Sequence, residues 1–221
     1  MHATADGVVV AIHDDTVDRT TDGTGAVRTL SAAALAQLDA GSGFRAADGS
    51  RPYRGRGVHV PTLAALLEAC PDVPLNIEIK QASPPIEAAV LATLDRFGAR
   101  ERTLLAAENG AIMQRIRAAA PDVVTSFAAP EVAEFLVRLR DGNLVGYRAP
   151  GIALQVPPAF QGTPIVTAES VAAAHTLGLE VHVWTINDEA EMERLLALGV
   201  DAIMTDFPAR AAAVFRRLGV R

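Results

Sequence analysis

The run Leu75-Asn76-Ile77-Glu78-Ile79-Lys80 alternates apolar and polar residues, which predicts a β-strand over 75–80 with Asn76, Glu78 and Lys80 on one face. A helical pattern over 86–97 follows at once, so the strand belongs to a repeating strand-helix unit whose sheet is covered rather than wet. From there the rhythm is regular. Further strands are predicted at 103–107, 123–127, 152–156, 181–186 and 202–205, alternating with helices at 111–120, 130–140, 168–177, 189–198 and 209–218. Alternation of this kind implies a parallel sheet. Upstream, an apolar strand over 8–13 is entered through Asp6-Gly7, a dipeptide suited to a hairpin turn, with only five residues ahead of it. The partner strand is therefore expected to be largely absent. Residues 14–30 read as a long polar loop, Ser31 caps a short helix through Leu38, 41–57 is a second irregular stretch, and Pro61-Thr62 opens a helix to Cys70. No linker or low-complexity segment appears, and one domain spanning 1–221 is expected.

A doubly wound sheet and a closed eight-stranded barrel both satisfy the alternation. The polar residues decide between them. His13-Asp14, Glu78 to Lys80, Trp184 to Asn187, and Asp206 fall at or near the C-terminal ends of different predicted strands, and such ends converge on one mouth in a barrel. No G-x-G-x-x-G fingerprint follows any strand. The expected fold class is α/β, a TIM-type (β/α)8 barrel lacking its first strand-helix unit and most of its second strand. Strand parity also requires either Trp184 or Asn187 to sit beyond the strand end, because the two cannot face inward together.

Composition narrows the functional field. The chain has 221 residues, half of them hydrophobic, enough for one sizeable core. A net charge of -6, with the arginines scattered among acids, leaves no footprint for nucleic acid. The lone Cys70 ends an apolar helical stretch and reads as a packed thiol. Neither a signal-like start nor a run long enough for a transmembrane segment is present, and a cytoplasmic location is expected, although a leader upstream of Met1 would change it.

Lys80 is the only lysine among twenty basic residues. An ammonium and a guanidinium differ in size and donor geometry, so a chain that otherwise uses arginine has kept a compact charge at one place. Placing a carboxylate and an ammonium on a covered strand is costly unless they are paired or bound to something, and a site explains them better than a solvated edge strand does. His13 can act as general acid or base near neutrality, Glu78 can ligate a hard cation, and Lys80 can neutralise a phosphoryl oxygen. Together they suggest phosphate ester chemistry. Taken singly, His13 reads equally well as a strand-end histidine bonded to backbone, and Trp184 as core filling. His59 and His182 read as structural or surface residues; His2 and His175 carry no signal.

Several segments in order resemble the glycerophosphodiester phosphodiesterase family: Thr4-Ala5-Asp6-Gly7 leading to His13-Asp14, Arg19-Thr20-Thr21, Leu38-Asp39-Ala40-Gly41 and Val60-Pro61-Thr62-Leu63. Asn76 to Lys80, Val183 to Asn187 and Gly199 to Pro208 complete the set. The resemblance implies a (β/α)8 barrel that hydrolyses a small-molecule glycerophosphodiester to glycerol 3-phosphate and an alcohol, with a divalent cation, magnesium or calcium, and two histidines. It assigns His13 as the histidine that protonates the leaving alkoxide, Glu78 as a metal ligand, Lys80 as the phosphate-neutralising lysine and Trp184 as an aromatic along the substrate. Asn187 and Asp206 match positions that support the mouth.

The family opens with a His-Arg-Gly strand, a Glu-Asn-Thr helix start and a Glu-x-Asp-Val strand, whereas this sequence begins just after that point. Missing with them are the first histidine, a phosphate arginine and most acidic ligands, and Glu78 alone cannot hold a hard cation. The expectation is a misplaced start or a genuine fragment, with turnover impaired as written. The alternative is a non-catalytic phosphodiester-binding relic that keeps Lys80 and the arginine loop. A barrel aldolase or isomerase using Lys80 as a Schiff-base amine ranks below both, since it needs an uncharged lysine beside Glu78.

Overall fold

The computed structural model describes residues 1–220 and divides them into two compact units, 1–124 and 125–220. In the first unit β1 (His2–Ala3) pairs antiparallel with β2 (Val9–Val10), in the register His2 opposite Val10. Gly7, at φ 80°, takes the left-handed turn that a side chain would resist. Asp6 fixes the turn by accepting from the Thr4 hydroxyl at 2.6 Å and from Ala32 N at 2.9 Å. The partner strand that the sequence pattern leaves wanting is thus present as two residues.

β3 (Leu75–Glu78) and β4 (Thr103–Ala106) pair in parallel. Ile77 and Ile79 are buried while Asn76, Glu78 and Lys80 face the other way, as the alternation predicts. Past the end of β3 the ladder continues on two sides: Ile79 N donates to Ala106 O at 2.8 Å, and Lys80 N donates to Met1 O at 3.2 Å. Met1 N in turn donates to Glu78 O. Those two bonds are the pattern of a parallel pair between Met1 and Ile79. β1 therefore runs parallel to β3, and β2 returns against it. The strand that leads to His13 is the returning arm of a hairpin, not a parallel barrel strand.

Helices α1 (Ala32–Leu35), α2 (Leu63–Ala69), α3 (Glu87–Arg96) and α4 (Gly110–Ala119) complete this unit. Asn109 caps α4 by accepting from Ala111 N at 2.8 Å, as short polar side chains do at helix starts. The long loop after His13 is folded back on itself. Val17 N donates to Gly25 O, Val27 N donates to Asp15 O, and both valines are fully buried in a cluster with Val10, Ile12 and Leu35.

In the second unit β5 (Ala153–Val156), β8 (Glu180–Val183) and β9 (Ala202–Ile203) form a parallel sheet with β8 in the middle. Helices α5 (Ala129–Arg140), α6 (Ala168–Thr176), α7 (Glu189–Ala197) and α8 (Pro208–Leu218) accompany it. Phe135, Met192 and Leu195 are completely buried at its centre. A short hairpin, β6 (Ala159–Phe160) with β7 (Thr163–Pro164), is not visible in the sequence pattern. Within the expected strand over 123–127 only Thr125 and Ser126 take part in isolated bridges, such as Ser126 to Ala153. Among the described residues the strands fall into separate sheets, and no closed barrel is assembled from them. Isolated bridges and the β1–β2 hairpin stand in place of the expected regular parallel pairing.

Candidate active site

β3 presents Glu78 and Lys80 two residues apart on one face, and their side chains meet at 2.7 Å, Lys80 Nζ to Glu78 Oε2. Lys80 is 24% and Glu78 35% exposed, so the pair is sheltered without being sealed. A pair this exposed contributes only about 0–1 kcal/mol to folding. Stability is a weak reason to keep it, and a ligand that exchanges with one partner is a better one.

His13 stands 73% exposed where β2 runs out, and its Nδ1 lies 2.8 Å from Asp14 Oδ1. Arg19 grips the same carboxylate with two bonds, Nε to Oδ2 at 2.6 Å and Nη2 to Oδ1 at 2.9 Å. The Arg19 guanidinium first, and His13 second, hold the Asp14 carboxyl well below the usual carboxylate range. Asp14 is consequently an ionised acceptor throughout the physiological range. It orients the His13 ring through Nδ1, leaving Nε2 available to give or take a proton.

The structure ties His13 to the Glu78–Lys80 end of β3 through two residues. His2 is buried, and its Nε2 lies 3.2 Å from the His13 carbonyl oxygen, which makes that nitrogen the donor. Next to it, Met1 is bonded on both sides of Ile79. Gln81 completes the clamp, its Oε1 accepting from Ala3 N at 3.0 Å while its Nε2 donates to Pro84 O. Burial pushes the His2 imidazole below its ordinary value. The sequence pattern gives His2 no signal of its own. Counting back from the Asp6-Gly7 turn is the one route to it, since that count sets it opposite Val10 and so inside the hairpin.

Trp184 lies in the second unit, half-buried just past β8, and its peptide bond to Thr185 is cis. Both Trp184 and Asn187 lie beyond the strand end, so the parity conflict is resolved by shortening β8. Asn187 ties that end to the segment after β9: its Nδ2 donates to Asp206 Oδ2 at 2.9 Å, and its Oδ1 accepts from Asp206 N and from the Thr205 hydroxyl, each at 3.0 Å. Asn187 and Asp206 are thus bracing residues. His182 is held by Glu180 at 2.8 Å and His59 by the Leu38 carbonyl, both structural.

Comparison with known proteins places the chain in a family. The sequence model of the glycerophosphoryl diester phosphodiesterase family matches residues 1–210. A probable glycerophosphodiester phosphodiesterase 2 of Mycobacterium tuberculosis is 32% identical, covering 93% of this chain and 74% of the relative. A glycerophosphodiester phosphodiesterase of Caldanaerobacter subterraneus is 28% identical, covering 98% and 84%. Among solved structures, a glycerophosphodiester phosphodiesterase of Agrobacterium tumefaciens superposes with a TM-score of 0.74 at 28% identity, over 96% of this chain and 84% of its own. An Oleispira antarctica phosphodiesterase in complex with the product sn-glycerol-3-phosphate gives 0.79 at 25% identity, over 97% and 82%. These neighbours give the chain a TIM-barrel-like α/β fold. It belongs to the glycerophosphoryl diester phosphodiesterase family, whose members are phosphoric diester hydrolases.

Proposed function

We propose that the chain takes glycerophosphodiesters and, as a catalyst, releases glycerol 3-phosphate and an alcohol. The observation that carries this reading is the sheltered Glu78–Lys80 pair, tied through Met1 and His2 to the segment bearing His13. In the proposed mechanism Lys80 turns its ammonium from Glu78 to a phosphoryl oxygen, a charge-assisted contact that grows as negative charge develops there. As water adds to phosphorus and the P–O bond to the alcohol breaks, His13, held by Asp14, donates its Nε2 proton to the departing alkoxide oxygen and regains one, released by the water, through solvent. For Trp184, in the second unit, a role along the substrate is proposed from the family resemblance alone. A family model that crosses both units supports treating them as one functional domain. No described helix is long and apolar enough to cross a membrane, and the proposed compartment is the cytoplasm.

A divalent cation, magnesium or calcium, is part of what the family resemblance implies. The described side chains do not fit one. A hard cation takes about six to eight oxygens, and no group of three His, Cys, Asp or Glu is arranged to hold a metal among the described residues. Glu78 gives its carboxylate to Lys80, and Asp14 gives its own to Arg19 and His13. No step is therefore routed through a metal. His2 does not stand in for a second acid-base histidine either, because its Nε2 is committed to the His13 carbonyl inside the hairpin. With His13 as the only positioned histidine in this unit's site, turnover by the 221-residue chain is expected to be slow. The same pairing favours one second reading, a phosphodiester-binding protein without catalysis.

Glycerol 3-phosphate release from glycerophosphocholine, followed in a coupled assay with and without added magnesium or calcium, separates the readings. Release that falls about 100-fold or more in His13→Ala while ligand affinity changes little supports the hydrolase. Ligand-induced stabilisation with no product supports the binder, and neither response would defeat both.

A further inference from the structure

We propose that the loop over residues 44–58 is a docking surface for an anionic lipid bilayer, an inference independent of the hydrolase reading. Between Phe44 and Val58 the chain places four arginines against a single aspartate, within a molecule whose formal net charge is -6. Several arginines elsewhere are matched to carboxylates, among them Arg19 to Asp14, Arg100 to Asp95, Arg115 to Glu87, Arg138 to Glu134 and Arg194 to Glu191; what sets the loop apart is three unmatched arginines within twelve residues beside two exposed rings. Arg45, Arg54 and Arg56 are exposed and have no carboxylate partner among the described residues. Phe44 and Tyr53 accompany them, each 50% exposed, packed edge to face with centroids 4.9 Å apart, and Val58 is exposed beside them.

The loop is built rather than loose. Ala40 N donates to Val58 O at 2.8 Å, Gly55 N to Asp39 Oδ2 at 2.8 Å, and the Arg51 guanidinium to Ser42 O at 2.8 Å. Gly41 lies so close to the Tyr53 carbonyl that a Cβ there would sit 2.3 Å from its oxygen, so the segment entering the loop packs backbone to backbone against Tyr53. This framework leaves the aromatic and cationic side chains exposed to solvent. A small soluble anion would satisfy the arginines and leave both rings in water. The headgroup layer of an anionic bilayer satisfies both, since aromatic rings settle at the interface while guanidinium groups meet lipid phosphates. Because the remainder of the molecule carries net negative charge, attraction is strongest at this loop and favours one orientation of docking. Gly43 abuts the Arg19 carbonyl, so the docked face adjoins the segment that carries His13 and Asp14.

Sedimentation of the full chain with phosphatidylcholine vesicles, and with vesicles containing about one third phosphatidylglycerol, tests the proposal. Binding is expected to the anionic vesicles alone and to weaken about tenfold or more between low and high salt. The variant R45E/R54E/R56E should lose it, whereas F44S/Y53S should weaken it while leaving the salt dependence in place. Equal binding to both vesicle types, no binding by the unaltered chain, or undiminished binding by the folded triple variant would overturn the proposal. Retention on soluble polyphosphate without vesicle binding would also overturn it, assigning the loop to a soluble polyanion. The neutral-versus-anionic and salt comparisons use the unaltered chain, so they decide the matter even where a variant fails to fold.

Discussion

Lys80→Arg is not a conservative change at the end of β3. The guanidinium is longer and planar, and it would meet Glu78 through a fork in place of one compact contact at 2.7 Å. Lys80→Met removes the charge altogether. A charge-assisted hydrogen bond contributes about 1.5–3 kcal/mol, so glycerol 3-phosphate affinity measured by calorimetry should fall roughly 10- to 100-fold in Lys80→Met. Lys80→Arg is expected to lie between that variant and the original. His2 gives a second residue-scale expectation. Its folded-state value is depressed by burial, so the unfolded chain binds that proton more readily, and stability is lost as pH falls below about 6.5. Melting temperatures at about pH 7.5 and pH 5.5 should show a smaller acid penalty in His2→Gln, which does not titrate and keeps an amide donor for the His13 carbonyl. His2→Leu should also shed the acid penalty yet melt lower at neutral pH, because it leaves that carbonyl without its donor. An acid penalty unchanged in both variants would place the titrating group elsewhere.

Elements hold these residues in place through ordinary means. Asp188 caps α7 by accepting from Glu191 N at 2.9 Å, and α7 follows directly on the Asn187 brace. Asp188→Ala should cost about 1 kcal/mol, seen as a fall of roughly 2–4 °C in melting temperature. Phe135 of α5 is fully buried against the β5 and β8 core, and Phe135→Ala should cost about 3–5 kcal/mol, roughly 10 °C on the same scale. The contrast between the two is the check: a cap satisfies one backbone donor, whereas a core ring leaves a cavity. β3 is legible in the sequence because a strand's period of two is local. The antiparallel return of β2 is less so, since the residues over 8–13 look the same whichever way their neighbour runs. Only the pairing of His2 with Val10 and of Met1 with Ile79 fixes that direction.

For the whole molecule, ligand and metal responses should diverge. Glycerol 3-phosphate at about 100 times its dissociation constant stabilises the folded state by about 2.7 kcal/mol, raising the melting temperature by roughly 5–10 °C. Magnesium or calcium alone should shift it by much less, because the described carboxylates near the site are already engaged by Lys80 and Arg19. A metal-only shift as large as the ligand's would show that oxygen ligands assemble here in a way the ion pairs do not reveal. Lys80→Met should flatten the glycerol 3-phosphate response while leaving the apo melting temperature nearly unchanged, as expected for an exposed pair.

Local pattern in the sequence determined β3 and its two faces, most helices from α3 onward, the Asp6-Gly7 turn and the shared face of Glu78 and Lys80. Each depends on residues within a few positions of one another, where periodicity and turn chemistry act directly. Tertiary structure alone decided the burial of His2, the role of Gln81, the ordering of the loop around Val17 and Val27, and the hairpin of β6 with β7. It also decided that the segment over 123–127 makes bridges in place of a full strand. The physical reason is distance along the chain. Met1 meets Glu78, and Ala3 meets Gln81, across more than seventy intervening residues, and hydrogen bonds of that span leave no periodic trace in either segment.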